Sequence, residues 1–74
     1  MNADNKIMKK ITVNDNIIDW EKNMTIIRIL KIMNYTFRML VVKVNGELVN
    51  KANYDEFLIP VDADVKVIHL ISGG

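Results

Sequence analysis

The chain has 74 residues, ten basic and nine acidic side chains, a formal charge of +1 and no cysteine. This length supports one compact domain, and without cysteine the chain can form neither disulfides nor thiolate zinc sites. The near-neutral charge gives no electrostatic support for nucleic-acid binding, and the apolar runs are far shorter than the ~20 residues that span a bilayer.

The first part of the chain predicts a β-hairpin. Residues 6–13 favour a strand, and residues 14–16, Asn-Asp-Asn, are typical of a turn because these side chains tolerate left-handed backbone. The returning strand is predicted from three apolar residues, Ile17, Ile18 and Trp20.

One main helix is predicted next. Thr25 can cap its first turn, since a threonine hydroxyl accepts a hydrogen bond from a free backbone N–H, and Asn34 can cap its end. Arg28 and Lys31 are expected to face outward. The apolar stripe at helical spacing consists of Ile26, Ile29, Leu30 and Met33, widened by Ile27 and Ile32.

The second half of the chain predicts a strand pair. Residues 39–45 form a continuous strand run, and Asn45-Gly46 is the strongest short hairpin signal known in sequences. The returning strand covers residues 47–49. Residues 53–56 are then typical of a turn or a short helical segment.

The last part of the chain predicts a connector, a turn and a final strand. Residues 57–60 end on a proline, which indicates an edge piece or a connector. Residues 62–64 form an acidic turn, residues 65–71 the last strand, and residues 72–74 a flexible tail. This order of elements predicts a single α+β domain over residues 1–74. Its arrangement is the β-grasp, in which one helix covers a mixed sheet of four to five strands.

Few side chains offer chemistry of their own. His69 has neither a cysteine nor a second histidine beside it, so a surface histidine is a better interpretation than a metal ligand. Asp62 and Asp64 lack the further ligands of a calcium loop, and Ser72 has no base to activate it. We therefore expect no metal site, no bound cofactor and no enzymatic activity. Since the polar first ten residues contain no signal peptide, we also expect a cytoplasmic protein without nucleic-acid or membrane partners.

The terminal Gly73-Gly74 has two interpretations from its residues alone. It can be a frayed end without a function, or it can be a reactive tail. Because glycine has no Cβ, a partner enzyme can close a narrow channel around such a tail. The α-carboxyl group is ionised at neutral pH. It can attack the α-phosphate of ATP to form an acyl adenylate, from which a sulfur nucleophile displaces AMP.

One stretch of sequence and the tail carry a family resemblance. Residues 41–49 are Val-Val-Lys-Val-Asn-Gly-Glu-Leu-Val, and they are followed by an acidic turn, a last apolar strand and residues 71–74, Ile-Ser-Gly-Gly. This pattern resembles the ThiS-type sulfur carriers of thiamine biosynthesis. The resemblance covers essentially the whole chain and is weakest over the first eight residues.

The resemblance implies a fold, a modification site and partners. The fold is the ubiquitin-like β-grasp. A separate ubiquitin-activating-like enzyme uses ATP to adenylate the terminal glycine, sulfur is installed as a thiocarboxylate, and thiazole synthase takes that sulfur for the thiazole ring. Carried onto this chain, Gly74 bears the adenylate and then the thiocarboxylate, and Gly73 threads into the partner enzyme.

Two other functions stay open. The small, sulfur-carrier subunit of molybdopterin synthase shares this fold and tail but often carries prolines before the tail. None follows Pro60 here, which favours the thiamine branch. The second alternative is a β-grasp interaction module with an inert tail.

The chain also departs from the family pattern in its last turn. Family members commonly place glycine between the two acids, whereas this chain has Ala63. Because alanine is strained at positive φ, we expect a negative φ there. The apolar character of residues 57–60 is not explained by the resemblance.

A partner-docking face is predicted from strand alternation. If Val65 and Val67 point to the helix, then Lys66, Ile68 and Leu70 face away from it. With Leu40, Val42 and Val44 in the core, Val41 and Lys43 lie beside that outer face. An exposed apolar patch next to a reactive tail suits docking, although these side chains can equally just cover the second side of the sheet.

Overall fold

A computed structural model of the chain describes residues 9–35 and 39–70. Within these ranges the elements are β1 Lys10–Val13, β2 Asn16–Asp19, α1 Ile26–Ile32, β3 Leu40–Val44, β4 Glu47–Val49 and β5 Asp64–His69, with a 3₁₀ turn at Lys51–Asn53. The strands form one sheet in the order β2-β1-β5-β3-β4. β1 and β5 are parallel and the other neighbours are antiparallel. The predicted mixed sheet with one main helix is confirmed.

Both hairpins turn through two left-handed residues. Asn14 and Asp15 have φ of 51° and 70°, and Asn45 and Gly46 have φ of 51° and 85°. Positive φ at both central residues is what a type I′ turn requires, and Asn and Gly tolerate it best. The first turn is shorter than predicted, because Asn16 already pairs within the sheet.

The helix begins and ends almost where the sequence indicates. The Thr25 hydroxyl accepts a hydrogen bond from the backbone N–H of Arg28 at 3.3 Å, as predicted. The C-cap residue is Met33, and Asn34 follows it with a φ of 60°, the left-handed conformation that closes many helix ends, so its predicted capping role is confirmed. Ile32 is 39% exposed and contributes less to the apolar stripe than expected. In the part of the chain that the structure describes, no helix is long and apolar enough to cross a membrane.

The hydrophobic core lies between α1 and one face of the sheet. The residues predicted to point inward from β3 and β5 are all buried there. The buried side chains are Ile11, Val13, Met24, Ile26, Ile29, Leu30, Leu40, Val42, Val44, Val49, Tyr54, Ile59, Ala63, Val65 and Val67. Sequence alternation therefore identifies correctly which face of these strands is covered.

The apolar connector at residues 57–60 is explained by a tertiary contact. The Ile59 side chain is buried, its N–H donates to the Met24 carbonyl at 2.8 Å, and its own carbonyl accepts the Trp20 Nε1–H at 2.8 Å. Leu58 forms an isolated antiparallel bridge with Thr25 and stays exposed. The segment is thus a short edge piece that closes the core beside the helix start.

The last turn places its left-handed residue one position earlier than an aspartate-glycine-aspartate turn would. Asp62 has a φ of 65°, whereas Ala63 does not have a positive φ and is buried. The expected negative φ at Ala63 is confirmed. The final strand begins at Asp64, which the sequence assigned to the turn, and ends at His69, earlier than predicted.

Candidate functional site

The five predicted docking residues lie on or beside the outer face of the sheet. In the β3–β5 register, Val41 lies opposite Ile68 and Lys43 opposite Lys66. Residues opposite each other in an antiparallel pair share a face, and the buried residues alternate with these four. Leu70 follows β5 and is 48% exposed. The structure thus brings the predicted residues together on the side of the sheet away from α1.

Four apolar residues at this end of β3 and β5 form what we call the tail-end patch, which consists of Met39, Val41, Ile68 and Leu70. Ile68 and Met39 are 43% and 53% exposed, and Val41 is half-buried. The Leu70 N–H donates to the Met39 carbonyl at 2.6 Å, which ties the two ends of the patch together. Met39 was not among the predicted docking residues; the sequence placed it in the strand, whereas the structure begins β3 at Leu40 and gives Met39 a left-handed backbone with a φ of 53°.

The two lysines beside the patch differ in their ion pairs. Lys66 Nζ lies 3.1 Å from Asp15 Oδ1 and 3.7 Å from Asp64 Oδ1. These carboxylates raise the pKa of Lys66, chiefly through the hydrogen bond to Asp15. Within residues 9–35 and 39–70, no carboxylate lies within 4 Å of Lys43 Nζ. The outer face therefore presents one uncompensated cation next to apolar surface.

Of residues 69–74, which hold the candidate reactive groups, the structure describes only 69 and 70. Gly73 and Gly74, like Ser72, fall outside the described residues. His69 pairs with Leu40 on the helix side of the sheet, where its ring meets the Tyr35 ring edge-on at a centroid distance of 5.0 Å. In the ranges that the structure covers, no three metal-ligating side chains converge.

An asparagine side chain holds the last part of β5. The Asn14 Oδ1 accepts the Val67 N–H at 2.8 Å, and its Nδ2 donates to the Val67 carbonyl at 3.1 Å. The same Nδ2 lies 3.3 Å from the Tyr35 hydroxyl oxygen, to which it donates. Sequence reasoning assigned Asn14 to turn chemistry alone, since nothing local indicates a contact with a residue 53 positions away.

Comparisons with known proteins agree with this architecture. The ThiS family model matches residues 5–74. The chain is also similar to the crystal structure of a thiamine biosynthesis protein (ThiS) from Geobacter metallireducens, with a TM-score of 0.71 and 19% identity over 88% of this chain and 99% of that chain. This structural likeness shows a ubiquitin-like β-grasp fold. No curated protein matches the sequence significantly.

Proposed function

The chain belongs to the ThiS family, and from that premise we propose that it is the sulfur carrier that supplies sulfur for the thiazole ring of thiamine. One observation carries the proposal: the family match runs to residue 74 and so includes the terminal Gly73-Gly74. The tail-end patch and the neighbouring Lys43, which has no carboxylate partner among the described residues, also support the proposal. A carrier must present both a reactive group and a surface for its partners.

The chemistry takes place at the main-chain carboxylate of Gly74. This group is ionised at neutral pH and attacks the α-phosphorus of ATP held by a ubiquitin-activating-like enzyme. A bond forms between a carboxylate oxygen and the α-phosphorus, the bond from that phosphorus to the oxygen bridging the α- and β-phosphates breaks, and pyrophosphate leaves. Hydrosulfide then attacks the acyl carbon, the bond from that carbon to the phosphate oxygen breaks, AMP leaves, and the thiocarboxylate remains on Gly74 for transfer to thiazole synthase. In this scheme the chain supplies the acyl group and its partners supply the catalysis.

Docking of both partners on the tail-end patch follows from the same proposal. Gly74 is the fourth residue after Leu70, which at ~3.3–3.6 Å per extended residue is a reach of at most about 14 Å. A partner that binds the patch therefore confines the reactive group to a small volume around its own active site. Lys43 at the edge of the patch fits a carboxylate on the partner, because complementary charges fix the orientation of an interface.

Deletion of Gly74 tests the proposed modification site. ATP–pyrophosphate exchange with the cognate activating enzyme is measured for the full chain and for the chain without Gly74. We expect exchange with the full chain and none with the shortened one, because the exchange requires adenylation of the terminal carboxylate. Thermal unfolding of both chains is the control for folding. An unchanged exchange rate would refute the carrier function.

A matched pair of substitutions tests the docking face. Ile68→Glu places a charge in the tail-end patch, whereas Ile17→Glu places the same charge on the same outer face, opposite Thr12 near the far edge of the sheet. Ile17 is 69% exposed, so this substitution costs little stability. We expect Ile68→Glu to raise the KM for the carrier about ten-fold or more, and Ile17→Glu to leave it nearly unchanged. Equal effects of the two substitutions would exclude the patch as the docking site.

A further inference from the structure

We propose that Asn14 is a positioning residue that fixes where the reactive tail leaves the sheet. This inference rests on the sulfur-carrier function proposed above. Parallel pairing between β1 and β5 joins Thr12 to Asp64 and Val13 to Val65, and there β1 stops because the chain turns back into β2. β5 continues for four more residues, to His69. Its side towards β1 would be unpaired over that stretch without another partner.

The Asn14 side chain supplies that partner. Its backbone N–H makes the last main-chain bond, to the Val65 carbonyl at 2.9 Å. Its side-chain amide then pairs with both the N–H and the carbonyl of Val67, at 2.8 and 3.1 Å. An amide that accepts with its oxygen and donates with its nitrogen has the hydrogen-bonding groups of a peptide unit. Asn14 therefore adds one further rung to the β1–β5 ladder.

Beyond Val67 the strand is held on one side. Ile68 and His69 pair with β3, and Leu70 bonds to Met39, also on the β3 side. Asn14 Nδ2 also donates to the Tyr35 hydroxyl oxygen, and the Tyr35 ring in turn contacts His69. Up to Val67, β5 therefore has hydrogen-bonding partners on both sides, and beyond the Asn14 contact it has them, among the residues that the structure describes, only on the β3 side. Strand ends supported on one side open more readily than those paired on both.

The place where two-sided support of β5 ends decides how the tail is presented. Gly74 lies seven residues beyond Val67 and nine beyond Val65. Loss of the Asn14 amide moves the end of two-sided support back by two residues. The freed backbone must be ordered again whenever a partner threads the tail, and this ordering weakens binding. The reacting carboxylate itself is unchanged, so the rate of the bound complex should not fall.

The turn offers a variant that removes the side chain without straining the backbone. Asn14 has a φ of 51°, which glycine adopts freely, so Asn14→Gly deletes the amide and keeps the turn. Asp15→Gly is the matched control: it sits in the same turn at a φ of 70°, and its side chain contacts Lys66 instead of the β5 backbone. Both variants are measured by ATP–pyrophosphate exchange over a range of carrier concentrations and by hydrogen exchange at the Val67 amide.

The two readouts separate positioning from a loss of stability. For Asn14→Gly we expect faster hydrogen exchange at Val67 and a KM raised about five-fold, with kcat within about two-fold of the original chain. Asp15→Gly should leave the Val67 amide nearly unchanged and should raise the KM less than Asn14→Gly does, because it releases only the Lys66 side chain. A KM for Asn14→Gly equal to that of the original chain overturns the inference. If the original chain itself supports no exchange, the proposed function fails and the inference fails with it.

A conservative variant keeps the test decisive if Asn14→Gly does not fold. Asn14→Asp retains an acceptor for the Val67 N–H but cannot donate to the Val67 carbonyl. We expect the KM of Asn14→Asp to be higher than that of the original chain. If Asn14→Gly also folds, the KM of Asn14→Asp should lie between the other two values. The positioning role is contradicted if Asn14→Asp speeds hydrogen exchange at the Val67 amide but leaves the KM equal to that of the original chain.

Discussion

Truncation of Ile29 tests how much the packing of α1 against the sheet contributes to the free energy of unfolding. Its side chain is fully buried between α1 and the sheet. Truncation of a buried isoleucine to alanine costs about 2–5 kcal/mol, through the lost transfer free energy and the cavity that remains. We expect Ile29→Ala to lower the free energy of unfolding by about 3 kcal/mol. In a domain of this size that lowers the unfolding midpoint by roughly 12–24 °C.

Ile32 is the matched control on the same helix. The same substitution there removes a side chain that is 39% exposed, and alanine is the better helix former, so Ile32→Ala should cost about 1 kcal/mol or less. Both variants are unfolded in urea and by heat, followed by far-UV circular dichroism. Similar losses of stability at the two positions would show that burial against the sheet is not what stabilises α1.

Three further predictions concern the turns and the polar contacts of the core. Gly46→Ala should lower the free energy of unfolding by about 1–2 kcal/mol, because alanine is strained at the φ of +85° found there, although its Cβ would meet no atom within 4 Å. Gly46→Asn should cost less, since asparagine tolerates positive φ, and equal losses for the two variants would contradict this conformational cause. Trp20→Phe should cost about 1 kcal/mol or more, since it leaves the Ile59 carbonyl without its donor, and a neutral effect in urea unfolding would show that this bond contributes nothing. Burial raises the pKa of Tyr54, so the folded state holds that proton more tightly than the unfolded state. Stability should therefore fall as the pH rises above ~10, and Tyr54→Phe should lessen the fall.

Features determined by local chemistry were predictable from the sequence. Asn45-Gly46 predicts a two-residue hairpin because few residue pairs adopt the backbone that it needs, and the structure has that turn. Thr25 predicts a helix start for the same kind of reason, since the hydroxyl reaches an N–H only three residues away. Alternation along β3 and β5 then assigns Val41 and Ile68 to the outer face. The predicted docking face rests on this alternation, and its function stays a prediction.

Features that depend on distant partners were not predictable. The buried Ile59 makes sense only beside Trp20 and Met24, which the folded chain brings to it from far along the sequence. Asn14 reads locally as a turn residue, and its bonds to Val67 arise only because β5 inserts next to β1. The left-handed backbone of Asp62 in the last turn was not predicted either, although the negative φ of Ala63 was. In each case the missing information is which segments pair in the sheet.

Intact mass spectrometry shows whether Gly74 accepts the sulfur. The chain is incubated with its activating enzyme, ATP and a sulfur donor, and its mass is compared with that of the chain lacking Gly74. Because the sequence contains no cysteine, no side-chain thiol can accept the sulfur. We expect a mass gain equal to the replacement of one oxygen by one sulfur, located at Gly74 by fragmentation and absent from the shortened chain. An unchanged mass, or sulfur found at any other residue, would contradict the carrier function.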